Sequence, residues 1–338
     1  MVRLSDFDYE LPEELIAQTP LPDRAASRLL HLDPLSGQVT HRMFRDVVDL
    51  LQAGDVLVLN NTRVNAWRFR GKKPTGGDVE ILALKEISPG VFESLIKPAK
   101  RLKPGAIFDL GSGVTGTVIE GGVDPIRIVQ LTCQNGDLKD ALGHIGEMPL
   151  PPYITEKLGD PERYQTVFSE SNGSAAAPTA GLHFTQEILD AVAEKGVKIA
   201  TVTLHVGIDT FRPIQVDDVT FHQMHGEVCE VSSVAASIIN DAVGRIVAVG
   251  TTAVRTLESF AVLKGKVEPG RKTSRLFITP GYEFQVVDGM FTNFHFPRTT
   301  MLLMISALSS REAILGAYAA AVEEKYRFLS FGDSMLLI

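Results

Sequence analysis

The chain has 338 residues, more than one core of ordinary size holds, and at about 150 residues per domain it is expected to form two domains. Hydrophobic residues make up 44% and charged residues 22%, with 29 Gly and 18 Pro, close to average globular usage, so disordered, collagen-like and low-complexity classes are excluded. A net charge of −8 speaks, over the whole chain, against a nucleic-acid partner, because Lys and Arg drive phosphate binding by releasing counterions.

The N-terminus, MVRLSDFDYELPEEL, is acidic and lacks the apolar stretch of a secretory signal. From Arg28 to Asn60 the pattern predicts a hairpin around Gly37, a helix near Phe44 to Leu51 and, after Gly54, a strand from Asp55 to Asn60. Between about Arg68 and Gly146 the composition changes to short alternating or β-branched runs: Val79 to Leu84, Val91 to Ile96, Ala106 to Leu110, Val114 to Ile119 and Ile126 to Thr132. Gly and Pro clusters cut them, as in a small all-β barrel or sandwich. After the loop Met148 to Ile154, Thr185 is placed to cap a helix carrying Ile188, Leu189 and Val192, followed by a strand from Val197 to Val206. A helix near Val234 to Val243, a strand from Arg245 to Val249 and a helix opening after Gly250 repeat the theme. Strands are expected near Leu276 to Thr279 and Tyr282 to Val287. The last long helix is predicted to open on a capping box, Ser309 to Glu312, and carries Ile314, Leu315, Tyr318 and Val322 at helical spacing. The longest near-apolar run, Met301 to Leu308, falls far short of the roughly 20 residues that span a bilayer, so no membrane partner is expected.

These elements predict an α/β fold in which a large domain built from both chain ends, residues 1–65 and 149–338, carries an inserted all-β barrel-like domain, residues 66–148. Cys133 and Cys229 stand 96 positions apart and form neither a disulfide framework nor a CxxC pair, which fits a reducing, cytoplasmic setting. Charge is segregated. From Arg63 to Lys103 ten basic residues face four acidic ones, a local +6 that leaves −14 on the rest. Within it, RVNAWRFRGKK interleaves Trp67 and Phe69 with cations, as a surface that stacks bases and neutralises phosphates would, although a solvated charged face has the same composition.

Several motifs carry chemistry. GSGVTG, Gly111 to Gly116, matches the dinucleotide-binding spacing, but the residues after it are β-branched and lead into GGVDP rather than a helix, so it reads as a turn. HQMHGEVC offers His222, His225, Glu227 and Cys229 as donors for a divalent metal, or as a hydrogen-bonded polar cluster. VGTT, Val249 to Thr252, ends a strand and starts a helix holding Arg255, where free amides and the helix dipole favour an anionic group, although an ordinary threonine cap has the same pattern. APTAGLHF, TLHVG and TNFHFP place His183, His205 and His295 at strand ends or helix starts, where α/β enzymes assemble sites. No GxSxG, P-loop or HExxH motif occurs.

Taken together these strings resemble the S-adenosylmethionine:tRNA ribosyltransferase-isomerases of bacterial queuosine biosynthesis. The resemblance runs over nearly the whole chain: DFDYELPEELIAQ, GDVLVLNNTRV, GGDVEIL, PLPPYI, ERYQTVF, AAPTAGLHFT, TLHVGIDTFRP, HQMHGE, VGTTAVRTLES, TNFHFP and YRFLSFGDSMLL. It implies transfer and isomerisation of the ribosyl part of S-adenosylmethionine onto 7-aminomethyl-7-deazaguanine at the wobble position of a tRNA anticodon. Epoxyqueuosine forms in the tRNA, with release of adenine and methionine. S-adenosylmethionine is then a consumed substrate, with no cofactor and no metal required, and tRNA is the macromolecular partner; separately from the resemblance, a monomer is expected.

On the matching strings the resemblance implies His183, His205, His225, Glu227 and His295 as catalytic acids or bases, imidazole being able to serve in both directions near neutral pH. Asn61, Arg63, Thr179, Gly181, Thr251, Thr252, Arg255 and Asn293 are the expected substrate-binding residues, the arginines for a carboxylate or phosphate and the asparagines for a base or ribose. Arg68, Arg70, Lys72, Lys73, Lys100 and Arg101 are the expected tRNA contacts. Two competing readings are a metal-dependent hydrolase centred on His222, His225 and Cys229, and a non-catalytic RNA-binding protein using the basic insert alone.

Overall fold

The computed structural model describes residues 2–65, 67–122, 126–134, 136–207 and 216–338, and the chain divides into two compact units. The larger comprises Met1–Arg63, Pro151–Ser171 and Ala177–Ile338, the smaller Val64–Leu150 and Asn172–Ala176. The last segment, read in sequence with the large domain, clusters with the smaller unit; its short polar sequence carries no periodicity to mark the core it joins. Position 66, the expected start of the insert, lies outside the described residues.

The larger unit is built on a nine-stranded mixed sheet. Its spatial order is Gly270–Ser274, Glu227–Val231, Lys198–Leu204, Val56–Asn60, Ile246–Val249, Gly289–Asn293, Ser334–Leu337, Arg28–Leu32 and Val39–Met43. The four strands from Lys198–Leu204 to Gly289–Asn293 run parallel. Two of them, VLVLN and IVAV, are buried at every position, the pattern of strands covered on both faces. Leu57, Leu59, Val247 and Val249 pack with Ile188, Leu189 and Val192 of the helix Gln186–Glu194 and with Phe44, Phe184 and Phe291. Each large side chain this layer removes from water contributes about 1.5–3 kcal/mol to the stability of the larger unit. The helix starts as predicted, with Thr185 Oγ1 accepting from the Ile188 amide at 3.3 Å.

The smaller unit is a closed barrel with strand order Ile126–Cys133, Val91–Lys97, Asp78–Ser88, Trp67–Lys72, Ile107–Gly111 and Val114–Gly121. Phe69, Ile81, Ile96, Phe108, Val118 and Val129 fill it. GSGVTG forms the turn between the last two strands and the start of the second. A Cβ at Gly116 would lie 1.9 Å from the Phe108 ring, so the last glycine of that motif answers to barrel packing.

Several elements differ from the sequence reading. Trp67–Lys72 is a strand and Leu138–Ile145 a helix capped by Asp137, both hidden in sequence by their charged residues. No strand forms over 276–279 or 282–287; Gly270–Ser274 pairs instead, with Glu227–Val231. The run Met301 to Leu308 belongs to a buried helix, Thr300–Leu308. The final helix, Arg311–Glu323, is capped by Ser310 rather than by a box starting at Ser309, whose hydroxyl donates to Pro34 O at 2.9 Å while Glu312 pairs with Arg311. Among the described residues no single helix is long and apolar enough to cross a membrane.

Candidate functional site

The strand Val56–Asn60 has Lys198–Leu204 on one side and Ile246–Val249 on the other. The chain therefore switches direction across it, and in open α/β sheets such a point leaves a crevice beyond the carboxyl ends of the strands. Asn60 ties these ends together. Its Oδ1 accepts from the amides of Thr62 (3.2 Å) and Leu204 (3.1 Å), and its Nδ2 donates to Leu204 O and Thr252 Oγ1, both at 3.1 Å. Every hydrogen-bonding position of the amide is used. Asn60 was not among the expected site residues; its signal in sequence is an asparagine closing an apolar strand, where asparagine is disfavoured. Its neighbour Asn61 uses Oδ1 to accept from Thr203 Oγ1 at 2.7 Å.

A cavity of about 380 Å³ opens beside these ends, lined by residues from Gly207, the 221–227 segment, the helix Thr251–Ser259, the 276–278 segment and the helix Thr300–Leu308. That size suits a small-molecule ligand. Gly250 turns the chain from strand into helix at φ +86°, a conformation a side chain would strain. The first helical turn thus places Thr251 and Thr252 in the cavity lining, where a helix N-terminus favours negative charge. Phe221, Met224, Phe277, Ile278, Met301 and Met304 make the rest largely apolar.

Glu227 and Arg255 both line this cavity and form a buried ion pair. Glu227 Oε1 also accepts from the Gly207 amide at 3.0 Å, and Arg255 reaches Ser274 O at 3.5 Å. Two residues expected to act separately are thus one electrostatic unit. His225, exposed, and His222 share the lining. His222 packs edge-on against Phe277 at 5.1 Å, and burial, then the nearby His225 charge, lowers its pKa. Cys229 is fully buried in the strand Glu227–Val231, its Sγ 3.5 Å from Lys272 O. Among the described residues no three His, Cys, Asp or Glu side chains converge to hold a metal ion.

The remaining expected residues lie in other networks. His183 is buried, stacked on Phe44 at 5.1 Å, with Nδ1 2.8 Å from Ser27 Oγ and Nε2 3.1 Å from Asn293 Nδ2. Asn293 Nδ2 also donates to Leu329 O at 3.1 Å, which fixes the amide's orientation and makes Nε2 of His183 the acceptor. Burial, with Arg24 and Arg327 nearby, pushes the His183 pKa down to about 3. This ring borders a separate cavity of about 30 Å³. His295 holds Thr292 Oγ1 at 2.7 Å, its carbonyl accepts from Tyr9, and burial lowers its pKa to about 4. His205 Nδ1 is 3.0 Å from Thr62 Oγ1, and burial, aided by Arg271, lowers its pKa. Arg63 donates to Ser169 Oγ at 3.0 Å and pairs with Glu162. Thr179 and Gly181 sit in the turn Thr179–His183, where a Cβ at Gly181 would come within 2.7 Å of Phe168, so close packing accounts for that glycine. Of the four histidines named as candidate acids or bases, the described lining of the larger cavity holds His225, while His183, His205 and His295 sit in the hydrogen-bond networks just given. Residues 208–215 of TLHVGIDTFRP lie outside the described residues.

On the barrel, Arg68 donates to Leu150 O at 2.9 Å and Arg70 pairs with Glu147 at 3.5 Å. Lys72, Lys73, Lys100 and Arg101 have no ion-pair partner among the described residues.

A family model described as queuosine biosynthesis protein matches residues 4–337. The S-adenosylmethionine:tRNA ribosyltransferase-isomerase of Desulforamulus reducens is 50% identical over 342 residues, spanning 100% of both chains. The crystal structure of S-adenosylmethionine tRNA ribosyltransferase from Thermotoga maritima is similar with a TM-score of 0.57 and 34% identity, covering 98% of this chain and 100% of that one. With sequence likeness and mixed α/β architecture both extending along the chain, it belongs to the queuosine biosynthesis protein family.

Proposed function

We propose that the chain is an S-adenosylmethionine:tRNA ribosyltransferase-isomerase, the activity named for its half-identical full-length relative. It moves the ribosyl part of S-adenosylmethionine to 7-aminomethyl-7-deazaguanine at the wobble position of tRNA and isomerises it, leaving epoxyqueuosine and releasing adenine and methionine. The observation that carries this reading is the cavity at the strand carboxyl ends. It sets a buried Glu227–Arg255 pair beside a helix N-terminus and an apolar wall.

The chemistry suits those residues. A sulfonium acidifies the adjoining ribose 5′ carbon, so a positioned base forms an ylide; adenine must be protonated as it leaves, and a tRNA amine captures the sugar. The methionine end of the substrate is a zwitterion, which fits the first-turn amides with Thr251 and Thr252 next to the paired Glu227 and Arg255. Met224, Phe277, Met301 and Met304 offer the apolar surface an adenine ring needs, and Glu227 places negative charge where a sulfonium would sit. His225 is the imidazole positioned in the lining to move a proton, a role worth about 10²–10⁴ in rate. His183, His205 and His295, with Asn61, Arg63, Thr179, Gly181 and Asn293, support the scaffold of the strand ends. S-adenosylmethionine is consumed and no further cofactor enters the reaction as written. Lys72, Lys73, Lys100 and Arg101 are the tRNA contacts of an enzyme that works as a cytoplasmic monomer.

Incubating the protein with S-adenosylmethionine and tRNA bearing the unmodified aminomethyl base tests the reading. Adenine release together with modified tRNA is expected. Binding of tRNA without adenine would overturn it in favour of an RNA-binding protein, and activity lost on chelation and restored by zinc would favour a metal enzyme.

A further inference from the structure

The helix Thr251–Ser259 supplies Thr251, Thr252 and Arg255 to the cavity, and in its last turn carries Glu258, which is 6% exposed and outside the lining. The Glu258 carboxylate accepts four hydrogen bonds from one loop. Oε2 takes Tyr282 Oη–H at 3.0 Å and the Gln285 amide at 2.9 Å, while Oε1 takes the amides of Val286 and Val287, both at 2.9 Å. Hydrogen bonds to an ionised carboxylate are the strong ones, and without it buried amides would be left unpaired. This explains why Tyr282 to Val287, patterned like a strand, joins no sheet: a side chain has taken its backbone donors.

The same helix holds the loop's other end. Ser259 and Ser274 hydroxyls are 2.5 Å apart, and Ser274 Oγ accepts from the Leu276 amide at 3.2 Å. Between the two anchors, Leu276, Phe277 and Ile278 form one wall of the cavity. That wall is therefore slung at both ends from the helix that carries Thr251, Thr252 and Arg255, and its distance from them depends on the Glu258 clamp. We infer that Glu258 is a positioning residue for S-adenosylmethionine: by clamping Tyr282 to Val287 it sets the place of Phe277 and governs substrate affinity while leaving the chemical step unchanged. The inference rests on the function proposed above.

Glu258→Gln turns an acceptor oxygen into an NH2 group facing amide N–H groups, and Tyr282→Phe removes one of the four bonds. Measured by adenine release, KM for S-adenosylmethionine should rise about tenfold in the first and about threefold in the second, with kcat within about twofold of the original. Hydrogen exchange at the amides of Gln285, Val286 and Val287 should quicken in Glu258→Gln. A merely structural role would instead reduce the folded fraction, lowering apparent kcat at constant KM. If Glu258→Gln fails to fold, Tyr282→Phe decides by itself. Unchanged KM in the folded variants of an active enzyme overturns the role of Glu258, whereas an unsubstituted protein that releases no adenine overturns the proposed function.

Discussion

Glu227 and Arg255 meet as an ion pair in the cavity wall, each side chain 7% exposed. Removing one partner of such a pair leaves an uncompensated buried charge, at a cost of about 3–5 kcal/mol, whereas replacing both by apolar residues of similar size is often neutral. Arg255→Met should therefore lower the unfolding free energy by that amount. The double variant Glu227→Leu with Arg255→Met should recover most of it and still release no adenine. Denaturant unfolding beside an adenine assay checks this; recovery of activity in the double variant would reduce the pair to a structural device.

Position separates the histidines. His225→Gln should slow adenine release by about a hundredfold or more with unfolding temperature changed by less than about 2 °C, because its ring is exposed in the cavity lining. His183→Ala removes a ring hydrogen-bonded at both nitrogens, and its main effect should be about 2–4 kcal/mol of lost stability. Stability loss at His225 with near-original activity would invert the assignment.

Acid sensitivity follows from the buried rings. His183 is pushed down to about 3 and His295 to about 4, against an ordinary value of 6.5 that each regains on unfolding. The unfolded chain then binds more protons over this interval, so the stability is fully present above about pH 6.5 and is lost as pH falls toward the folded values. By pH 5 the loss should be about 2 kcal/mol for each ring. Unfolding free energies at pH 7 and pH 5 for the original protein and for His183→Gln check it. The variant should be weaker at pH 7 but lose less on acidification, and equal losses would remove His183 as the cause.

The barrel cations divide into two groups. Arg68 is held by Leu150 O and Arg70 by Glu147, so Arg68→Ala should destabilise the barrel by about 1–2 kcal/mol through a lost hydrogen bond. Replacing Lys72, Lys73, Lys100 and Arg101 together by Ser should weaken tRNA binding at least about tenfold and flatten the salt dependence of Kd by nearly one unit of log–log slope per lost phosphate contact. Titrations at several salt concentrations measure both. An unchanged slope would move the tRNA surface elsewhere.

Local signals in the sequence translated well where the structure they specify is also local. The apolar runs at Val56–Asn60 and Ile246–Val249, the Thr185 cap and the short runs of the barrel each form what their spacing predicts. The prediction failed at Tyr282 to Val287, where the amides bond to a carboxylate more than twenty residues earlier, and at Trp67–Lys72, whose alternation of Trp67 and Phe69 with cations reads as a charged binding surface but forms a barrel strand.

The chemical inventory was settled by residue type and order: the histidines, the Thr251–Thr252 helix start and the family resemblance all lie in contiguous strings. Distance was not, because periodicity describes a residue's neighbours along one element and says nothing of which strand lies beside it. The strand order of the mixed sheet, with the helices and turns between its strands, brought Glu227 onto Arg255 and Asn60 onto Thr252, and set His183 against Ser27 and Asn293 rather than in the lining of the larger cavity. Packing chose which polar groups pair with one another and which face a ligand, since a buried donor or acceptor must find a partner wherever the folded chain supplies one.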